Sequence, residues 1–335
     1  MRKLLFIGNS FHKKTRSYDF VVDLLGTDFV IDFCFFDLFI ENPYIELSKF
    51  SGVEYEVLVC WQVMPPLKEL RRNVAFRHGV FFPMFDGCPS IKKPEKWYSF
   101  RGFQIISFSK MLDDNLKKIG LSSHYIQYFP EVLAFSDFGK EDSLFFWNRR
   151  KKINVNTVAI LIRESSIKNV HIHKVLDPGN DFIKPDNPRE FLYSFSSWYE
   201  TRKEMLAEIE SSAFYIAPRE KEGIGMSFLE AMAMGRCVIA PDQVTMNEYI
   251  EHGRTGYLYD LKNPKPLEID DVREIQKNVL EFMKDGYEKW NVEKENIFKW
   301  CEAPLKKSNV KFLKALVIRF FRNPIKVIKV LWNEK

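Results

Sequence analysis

Residues 213–240 join short apolar runs through a glycine turn, and this pattern constrains the fold more than any other part of the chain. The apolar run at 213–217 ends at a proline and is typical of a buried strand. A charged loop and two glycines at 223–225 follow, and then a helical segment at 226–234 that Gly235 is placed to end. A second apolar run closes the unit. The pattern predicts a strand, a glycine turn, a short helix and another strand.

Apolar runs alternate with helical segments along the rest of the chain as well. Strands are predicted at residues 3–7, 29–36 and 55–61 in the N-terminal half, with helices between them. Such alternation is typical of parallel sheets covered by helices, whose ligands bind at the carboxyl ends of the strands. With 335 residues the chain can form two domains, and the proline-containing, aperiodic residues 130–140 predict the linker.

The amino-acid composition indicates the class of protein and the cellular compartment in which it is expected. Hydrophobic residues make up 46% and charged residues 28%, as in soluble globular proteins. The five cysteines lack paired spacing, which indicates neither a disulfide framework nor a zinc site and favours a reducing compartment. The first apolar run, residues 4–7, is too short for a signal peptide or a membrane span. We therefore expect a cytoplasmic protein.

The positive charge is concentrated at the C-terminus. Residues 305–335 contain nine Lys and Arg against one Glu, a net charge of +8, whereas the whole chain carries +5. The rest of the chain is therefore mildly acidic, which argues against nucleic-acid binding. Within 308–322, basic and apolar side chains fall on opposite sides of a helix. Such a basic amphipathic tail can lie in an anionic membrane interface, or it can pack its apolar side on the protein.

The glycine turn at 223–225 has a chemical use. The first N–H groups of a helix lack intrahelical partners and carry the positive end of its dipole, so a glycine-lined helix start suits a phosphate group. Two carboxylates flank it, Glu222 before the helix and Glu230 within it. A carboxylate beside a phosphate site can accept hydrogen bonds from the vicinal hydroxyls of a sugar. A diphosphate with a sugar on each side is a sugar nucleotide.

The segment 222–235, with Asn247-Glu248-Tyr249-Ile250 and Thr255-Gly256-Tyr257-Leu258, resembles the donor-binding half of retaining glycosyltransferases of family 4 over about residues 140–260. The resemblance implies an α/β GT-B fold: two Rossmann-like parallel-sheet domains facing a cleft, here followed by the basic amphipathic tail. The expected bounds are 1–138 for the acceptor-side domain, 139–304 for the nucleotide-sugar domain and 305–335 for the tail. The resemblance also implies that a late helix, near residues 292–300, returns to the first domain.

The resemblance assigns roles to the residues of the glycine turn. Glu230 would hold the ribose hydroxyls, and Glu222 would contact the transferred sugar. The diphosphate would be held at the helix start, by Gly223, Gly225, Met226 and Ser227. Two alternatives need no ligand: Ser227 and Glu230 also match a Ser-x-x-Glu capping box, and Glu222 can be a solvated loop charge.

Basic residues are expected to neutralise the diphosphate. The resemblance places Arg149 directly after the first strand of the second domain, with Lys151 or Lys152 as its companion. Arg163 and Lys168 have the family's spacing but follow a predicted helix. The basic residues at 149–152 can also form a solvated loop that binds no ligand. In the first domain Asp86, at the end of an apolar strand, is the candidate that reaches the donor sugar, although it can also form a turn with Gly87.

The expected function is a retaining glycosyltransferase, a hexosyltransferase. It would move a hexose from a nucleotide diphosphate sugar to a lipid-linked or membrane-associated glycan in polysaccharide assembly of the O-antigen or capsule type. The resemblance implies no metal and no cofactor besides this co-substrate, and the chain contains no Asp-x-Asp. The tail predicts peripheral association with the inner face of an anionic membrane. Two rivals stay open: another GT-B reaction, such as an epimerase or a phosphorylase, and a catalytically silent binding protein.

Overall fold

The structure of the protein is a computed structural model that describes residues 2–38, 40–132, 137–304 and 310–333. The chain forms two compact units. Unit 1 comprises residues 1–127 and 292–335, and unit 2 comprises residues 128–291. The expected bounds differ from this division, because residues 128–138 lie in unit 2 and residues 292–335 return to unit 1. The parts of the expected linker and tail at 133–136, 305–309 and 334–335 lie outside the described residues.

Unit 1 contains a six-stranded sheet in which every adjacent pair of strands is parallel. The strands lie in the order β2-β1-β3-β4-β5-β6. Their bounds are β1 Arg2–Asn9, β2 Phe29–Phe36, β3 Glu54–Trp61, β4 Ala75–Phe82, β5 Gln104–Ser107 and β6 Ser123–Tyr125. The chain order reverses at β1, so the loops after β1 and β3 meet at the carboxyl edge of the sheet, where ligands of such sheets bind.

Helices cover this sheet and bury the apolar side chains of its strands. The α-helices are α1 His12–Thr15, α2 Asp19–Leu25, α3 Leu67–Asn73 and α4 Lys110–Lys118, and 3-10 helices occupy Ile45–Phe50, Phe85–Gly87 and Pro94–Gly102. Ser109 caps α4, its hydroxyl accepting from the N–H of Leu112. The central strand β3 is apolar and buried from Val57 to Trp61, as expected for a parallel strand covered on both faces.

Unit 2 contains a second six-stranded sheet, again parallel between all adjacent strands. The order is β12-β11-β10-β7-β8-β9. The strands are β7 Lys140–Asn148, β8 Asn169–Lys174, β9 Leu192–Ser196, β10 Ser212–Ile216, β11 Cys237–Pro241 and β12 Gly256–Tyr259. The chain order reverses between β7 and β10, which makes the carboxyl ends of these two neighbours the switch point of the sheet.

Four α-helices accompany this sheet, at α5 Val155–Ile162, α6 Arg202–Glu210, α7 Met226–Ala233 and α8 Val272–Glu293, with a 3-10 helix at Met246–Glu248. Asn154 and Thr201 cap α5 and α6, each accepting main-chain N–H bonds through its side-chain oxygen. The start of unit 2 packs onto its own helices: the ring of Tyr128 lies 5.2 Å from Trp290, and Phe129 lies 5.4 Å from Phe282. These contacts explain why the chain joins unit 2 before the expected linker.

The C-terminal segment continues as α9 Asn296–Glu302, α10 Val310–Arg322 and α11 Pro324–Asn333. Phe312, Leu316 and Val327 are buried in the core of unit 1. Arg319 forms an ion pair of 3.3 Å with the buried Glu95 of the 3-10 helix Pro94–Gly102. The tail therefore packs part of its apolar side on the protein, as one of the two alternatives expected. No helix among the described residues is both long enough and apolar enough to cross a membrane.

Candidate active site

The start of α7 depends on Gly225. This residue is the N-cap, with φ of 91°, and a Cβ built there would lie 1.9 Å from Cε1 of Phe228. Only glycine fits both the conformation and the space. No side chain caps the helix, and its first turn contains no acidic residue. The predicted helix start is confirmed, and its N–H groups at Met226 and Ser227 receive no side-chain cap from the N-cap residue.

The end of α7 also follows the expectation. Gly235 has φ of 71°, and the N–H of Arg236 donates to the carbonyl of Ala231 at 2.9 Å, while that of Gly235 donates to Met232 at 2.8 Å. This pair of bonds is the Schellman arrangement that terminates a helix at a left-handed glycine. The short helix is thus bounded at both ends by glycines.

The capping-box alternative for Glu230 is wrong. The N-cap is Gly225, so Ser227 is already the second residue of α7 and cannot cap it. The Glu230 carboxylate instead accepts from Nη2 of Arg202, the first residue of α6, at 2.7 Å. The carboxylate projects from the middle of α7 and contacts the start of α6, and the Glu230 side chain is 23% exposed.

The solvated alternative for Glu222 is also wrong. Glu222 is only 7% exposed, and Nη1 of Arg219 lies 3.7 Å from its carboxylate. The main-chain N–H of Glu222 donates to the carbonyl of Val244 at 3.2 Å, which fixes the loop before α7. The carboxylate is thus buried beside a guanidinium group and is not a solvated loop charge. Gly223 follows it directly, without a Cβ to crowd the helix start.

Tyr215, in strand β10, lies near both glutamates. Burial raises the pKa of its phenol, and the negative charges of Glu222 and Glu230 raise it further, while the nearby Ser227 and Arg149 oppose the shift. The phenol therefore lies near both carboxylates and the start of α7, and it stays protonated at neutral pH. The structure thus brings Glu222, Ser227 and Glu230 together around the end of β10.

Arg149 follows β7, the strand that neighbours β10 at the switch point. Its Nε and Nη2 lie 3.0 Å and 2.8 Å from Oδ1 of Asp177, and its guanidinium lies 4.8 Å above the ring of Trp147. Arg150 and Arg219 contact the other oxygen of Asp177. Three guanidinium groups therefore meet beside the loop that leads to α7. We call Arg149, Arg150 and Arg219 the arginine cluster.

The lysines of the basic loop differ from Arg149. Lys152 pairs with Glu220 at 2.8 Å and has an exposed side chain, and Lys151 is exposed as well. Arg163, the first of the alternative pair, ends α5 and pairs with Glu190 at 2.8 Å. Lys168 precedes β8 and so lies at the amino edge of the sheet, opposite the switch point. The geometry favours Arg149 over the other basic candidates.

Comparison with known proteins identifies the family of one segment and the fold of the chain. Residues 190–278, about a quarter of the chain, match the family model of glycosyl transferases group 1. A glycosyltransferase from Rickettsia africae is similar over 92% of this chain and 100% of its own, with a TM-score of 0.59 and 12% identity. Anabaena HepE in complex with UDP and glucose is similar over 89% and 99%, with a TM-score of 0.55 and 13% identity. Both neighbours establish the GT-B fold.

The lipopolysaccharide outer core galactosyltransferase WaaB has the same fold, with a TM-score of 0.52, 11% identity and coverage of 95% of this chain and 99% of its own. No curated protein matches the sequence. Together, the matched segment and the fold indicate a glycosyltransferase.

In unit 1 of this glycosyltransferase, Asp86 lies in the 3-10 helix Phe85–Gly87 after β4. Its charge acts on the imidazole of His12: burial lowers the pKa of His12, while a hydrogen bond to Gln62 and the charge of Asp86 oppose that shift. His12 Nε2 lies 2.6 Å from Oε1 of Gln62, a residue with φ of 62° directly after β3. Asp86 thus belongs to a polar group at the carboxyl edge of the unit 1 sheet.

Sequence reasoning missed several of these residues. Asp177, Arg202 and Gln62 were not singled out, and Arg219 was only one charge in a loop. Each of these residues follows a strand of a parallel sheet or begins the next helix. Because ligands of parallel sheets bind at the carboxyl ends of the strands, these positions could have identified them. Among the described residues, no group of three or more His, Cys, Asp or Glu side chains is arranged to hold a metal ion.

Proposed function

We propose that the protein is a retaining hexosyltransferase that uses a nucleotide diphosphate sugar. The observation that carries the proposal is the placement of Glu222 and Glu230 on either side of a helix start that has no side-chain cap, next to the arginine cluster. A helix start and guanidinium groups suit a diphosphate, and the two carboxylates suit the sugars attached to it.

The roles follow from the positions. Glu230 would accept hydrogen bonds from the ribose hydroxyls and Glu222 from the hexose. The N–H groups at Gly225, Met226 and Ser227 would hold the diphosphate, which Gly223 allows to approach closely. Arg149 would neutralise it, with Lys151 or Lys152 at the rim. HepE was crystallised with UDP and glucose and WaaB is a galactosyltransferase, which supports a uridine nucleotide and a hexose as the first donors to test.

The chemistry requires no nucleophilic side chain. In the proposed reaction the bond between the hexose C1 and the diphosphate oxygen breaks, and the acceptor hydroxyl bonds to C1 on the same face. The acceptor proton passes to an oxygen of the departing diphosphate. Arg149 and the N–H groups of α7 would stabilise the charge that develops on the diphosphate, and the proposal includes no metal. Asp86 is the further residue proposed to position the hexose.

The acceptor and the location belong to the same proposal. We infer a lipid-linked or membrane-associated glycan as acceptor, in polysaccharide assembly of the O-antigen or capsule type, and a cytoplasmic protein held at the inner face of the membrane. The exposed apolar and basic side chains of the tail support this location. Phe321 and Ile325 are each 81% exposed and Trp332 is 76% exposed, although Phe312 and Val327 pack inward. Five basic residues with exposed side chains, Lys311, Lys314, Arg322, Lys326 and Lys329, accompany this surface.

The test is donor turnover by the full chain. UDP, GDP, ADP and dTDP hexoses are incubated with membrane glycolipid extract, and released nucleotide and labelled glycolipid are both measured. Glu222→Gln should lower turnover by about 100-fold, since it removes the charge that faces the hexose. The matched control is Glu220→Gln, two residues earlier and paired with Lys152, which should keep activity within about twofold.

The outcomes separate the rivals. Turnover that produces labelled glycolipid with the anomeric configuration of the donor supports the proposal. Interconversion of free nucleotide sugars, or turnover that needs inorganic phosphate, would indicate another GT-B reaction. Unchanged biological activity of Glu222→Gln together with no turnover of any donor would indicate a binding protein.

A further inference from the structure

Asp177 lies in the loop after β8 and is attached to the loop after β7. Its main-chain N–H donates to the carbonyl oxygen of Arg149 at 2.8 Å. The two loops that follow neighbouring strands are thereby joined at the carboxyl edge of the sheet. The main chain of Asp177 is fixed by this bond, whereas its carboxylate can turn about the side-chain torsion angles.

The carboxylate of Asp177 contacts all three members of the arginine cluster. Arg149 donates to Oδ1 from Nε at 3.0 Å and from Nη2 at 2.8 Å. Arg150 contacts Oδ2 from Nε at 3.0 Å, and Arg219 contacts it from Nη2 at 3.4 Å. The side chains of Asp177, Arg149 and Arg219 are each about four-fifths buried, so these contacts are only partly screened by water.

The neighbouring arginines stabilise the negative charge of Asp177. Burial alone would raise the pKa of its carboxyl, but the charge of Arg149 and hydrogen bonds from Arg150 and Arg149 outweigh it, so the pKa lies below its ordinary value. The carboxylate is therefore ionised at neutral pH. Two carboxylates, those of Asp177 and Glu222, face the three guanidinium groups, which leaves the cluster with an excess of one positive charge for a further anion.

We propose that Asp177 is an internal counter-anion that competes with the donor diphosphate for the arginine cluster. The inference rests on the proposed function, because it takes these arginines as ligands of the diphosphate. A carboxylate and a phosphate present the same pair of oxygens to the fork of a guanidinium. Two donor nitrogens of Arg149 are already used by Asp177, so a diphosphate must displace the carboxylate before it gains those bonds.

This competition has a consequence for turnover. A protein that must break an internal contact to bind a ligand shows a weaker apparent affinity than its open form has. After transfer, the return of Asp177 to Arg149 would favour release of the nucleoside diphosphate product. Asp177 is therefore assigned a regulatory role at the donor site, and the role is set by its charge rather than by its shape.

The test is the variant Asp177→Asn, which keeps the shape and removes the charge. Binding of UDP, GDP, ADP, dTDP and inorganic pyrophosphate to the full chain is measured by calorimetry at low and high salt. We expect Asp177→Asn to bind the diphosphates about three- to tenfold more tightly at low salt, with a smaller gain at high salt, because one competing charge is gone. The apparent KM for the donor should fall with it.

A purely structural role predicts the opposite sign. If Asp177 only holds the arginines in place, Asp177→Asn will bind diphosphates more weakly. The matched control is Glu190→Gln, which removes the carboxylate from the ion pair with Arg163 in the same unit and should leave the affinities unchanged. Asp177→Ser replaces Asp177→Asn if the latter gives no cooperative melting transition.

The two proposals fail in different ways. Wild-type protein that binds none of the five probes would overturn the donor site and, with it, the role of Asp177. Wild-type protein that binds a diphosphate, with equal or weaker binding by Asp177→Asn, would overturn the role of Asp177 alone.

Discussion

Arg202 Nη2 lies 2.7 Å from Oε1 of Glu230, so the first residue of α6 contacts the carboxylate that projects from the middle of α7. The Arg202 side chain is 67% exposed, so this ion pair is open to solvent. Exposed pairs contribute little to stability, typically below about 1 kcal/mol. This ion pair therefore contributes little to the stability of the fold, and the proposed ribose role of Glu230 is tested separately.

Glu230→Ala should abolish the stabilisation of the protein by nucleoside diphosphates. Hydrogen bonds to a charged acceptor contribute about 1.5–3 kcal/mol, so its loss should raise the Kd by roughly 10- to 100-fold. The measurement is the increase in Tm at one fixed concentration of UDP, GDP, ADP or dTDP. Glu251→Ala, an exposed glutamate of the same unit, is the control and should keep the full increase. An equal increase in Glu230→Ala would contradict the ribose role.

Gly225→Ala should destabilise unit 2 far more than Gly253→Ala. Both glycines have positive φ, 91° and 78°, but a Cβ at Gly225 meets Phe228 at 1.9 Å, whereas nothing lies within 4 Å of one at Gly253. The common cost of a left-handed alanine is about 1–2 kcal/mol, and the clash should add at least about 2 kcal/mol. Urea unfolding of both variants measures the difference. Similar losses would show that Phe228 moves aside freely.

His173 should make stability depend on pH below neutrality. Burial lowers its pKa to about 4, aided by the charge of His171, and its Nδ1 lies 2.8 Å from Oγ of Ser196. The unfolded histidine has a pKa of about 6.5, so between pH 6.5 and pH 4 the unfolded state binds a proton that the folded state does not. Stability is therefore full above pH 6.5 and falls as the pH drops.

Between pH 7 and pH 5 this loss should amount to roughly 2 kcal/mol. The measurement is urea unfolding of wild type and His173→Gln at pH 8, 7 and 5. The two proteins should change in parallel between pH 8 and 7, and the wild type should lose more stability at pH 5. Equal losses at pH 5 would mean that His173 does not carry the effect.

Replacing the exposed apolar residues of the tail should weaken membrane binding without unfolding the protein. Phe321→Ser with Ile325→Ser removes two side chains that are each 81% exposed. A buried apolar side chain contributes about 1.5–3 kcal/mol, so binding to vesicles should fall at least about tenfold. Leu192→Ser, at a residue 70% exposed in unit 2, is the control and should bind as the wild type does.

Lipid composition tests the basic residues of the same surface. Cosedimentation with vesicles of phosphatidylglycerol and phosphatidylcholine should exceed that with phosphatidylcholine alone, and Lys326→Gln with Lys329→Gln should reduce it, by roughly 1 kcal/mol for each charge. Wild type that stays in the supernatant with both lipids would show that the tail only packs on unit 1.

The sequence predicted the elements that local rules control. Strand β2 was expected at the residues where it lies, and α7 was expected to begin at Met226, because β-branched and aromatic runs, glycines and caps act over a few residues. The order of strands and helices then restricted the fold to parallel sheets and placed the candidate residues at the carboxyl edges. This much was available from the chain alone.

The tertiary structure decided what those residues touch. Glu222 is buried beside Arg219, Glu230 contacts Arg202, and Arg149 contacts Asp177. The two residues of each pair are 3 to 28 positions apart in the sequence, and the fold brings them together. The division of the tail into a packed side and an exposed side also required the core of unit 1. Local sequence rules specify backbone shape, whereas ionisation and charge pairing depend on neighbours that the fold brings together.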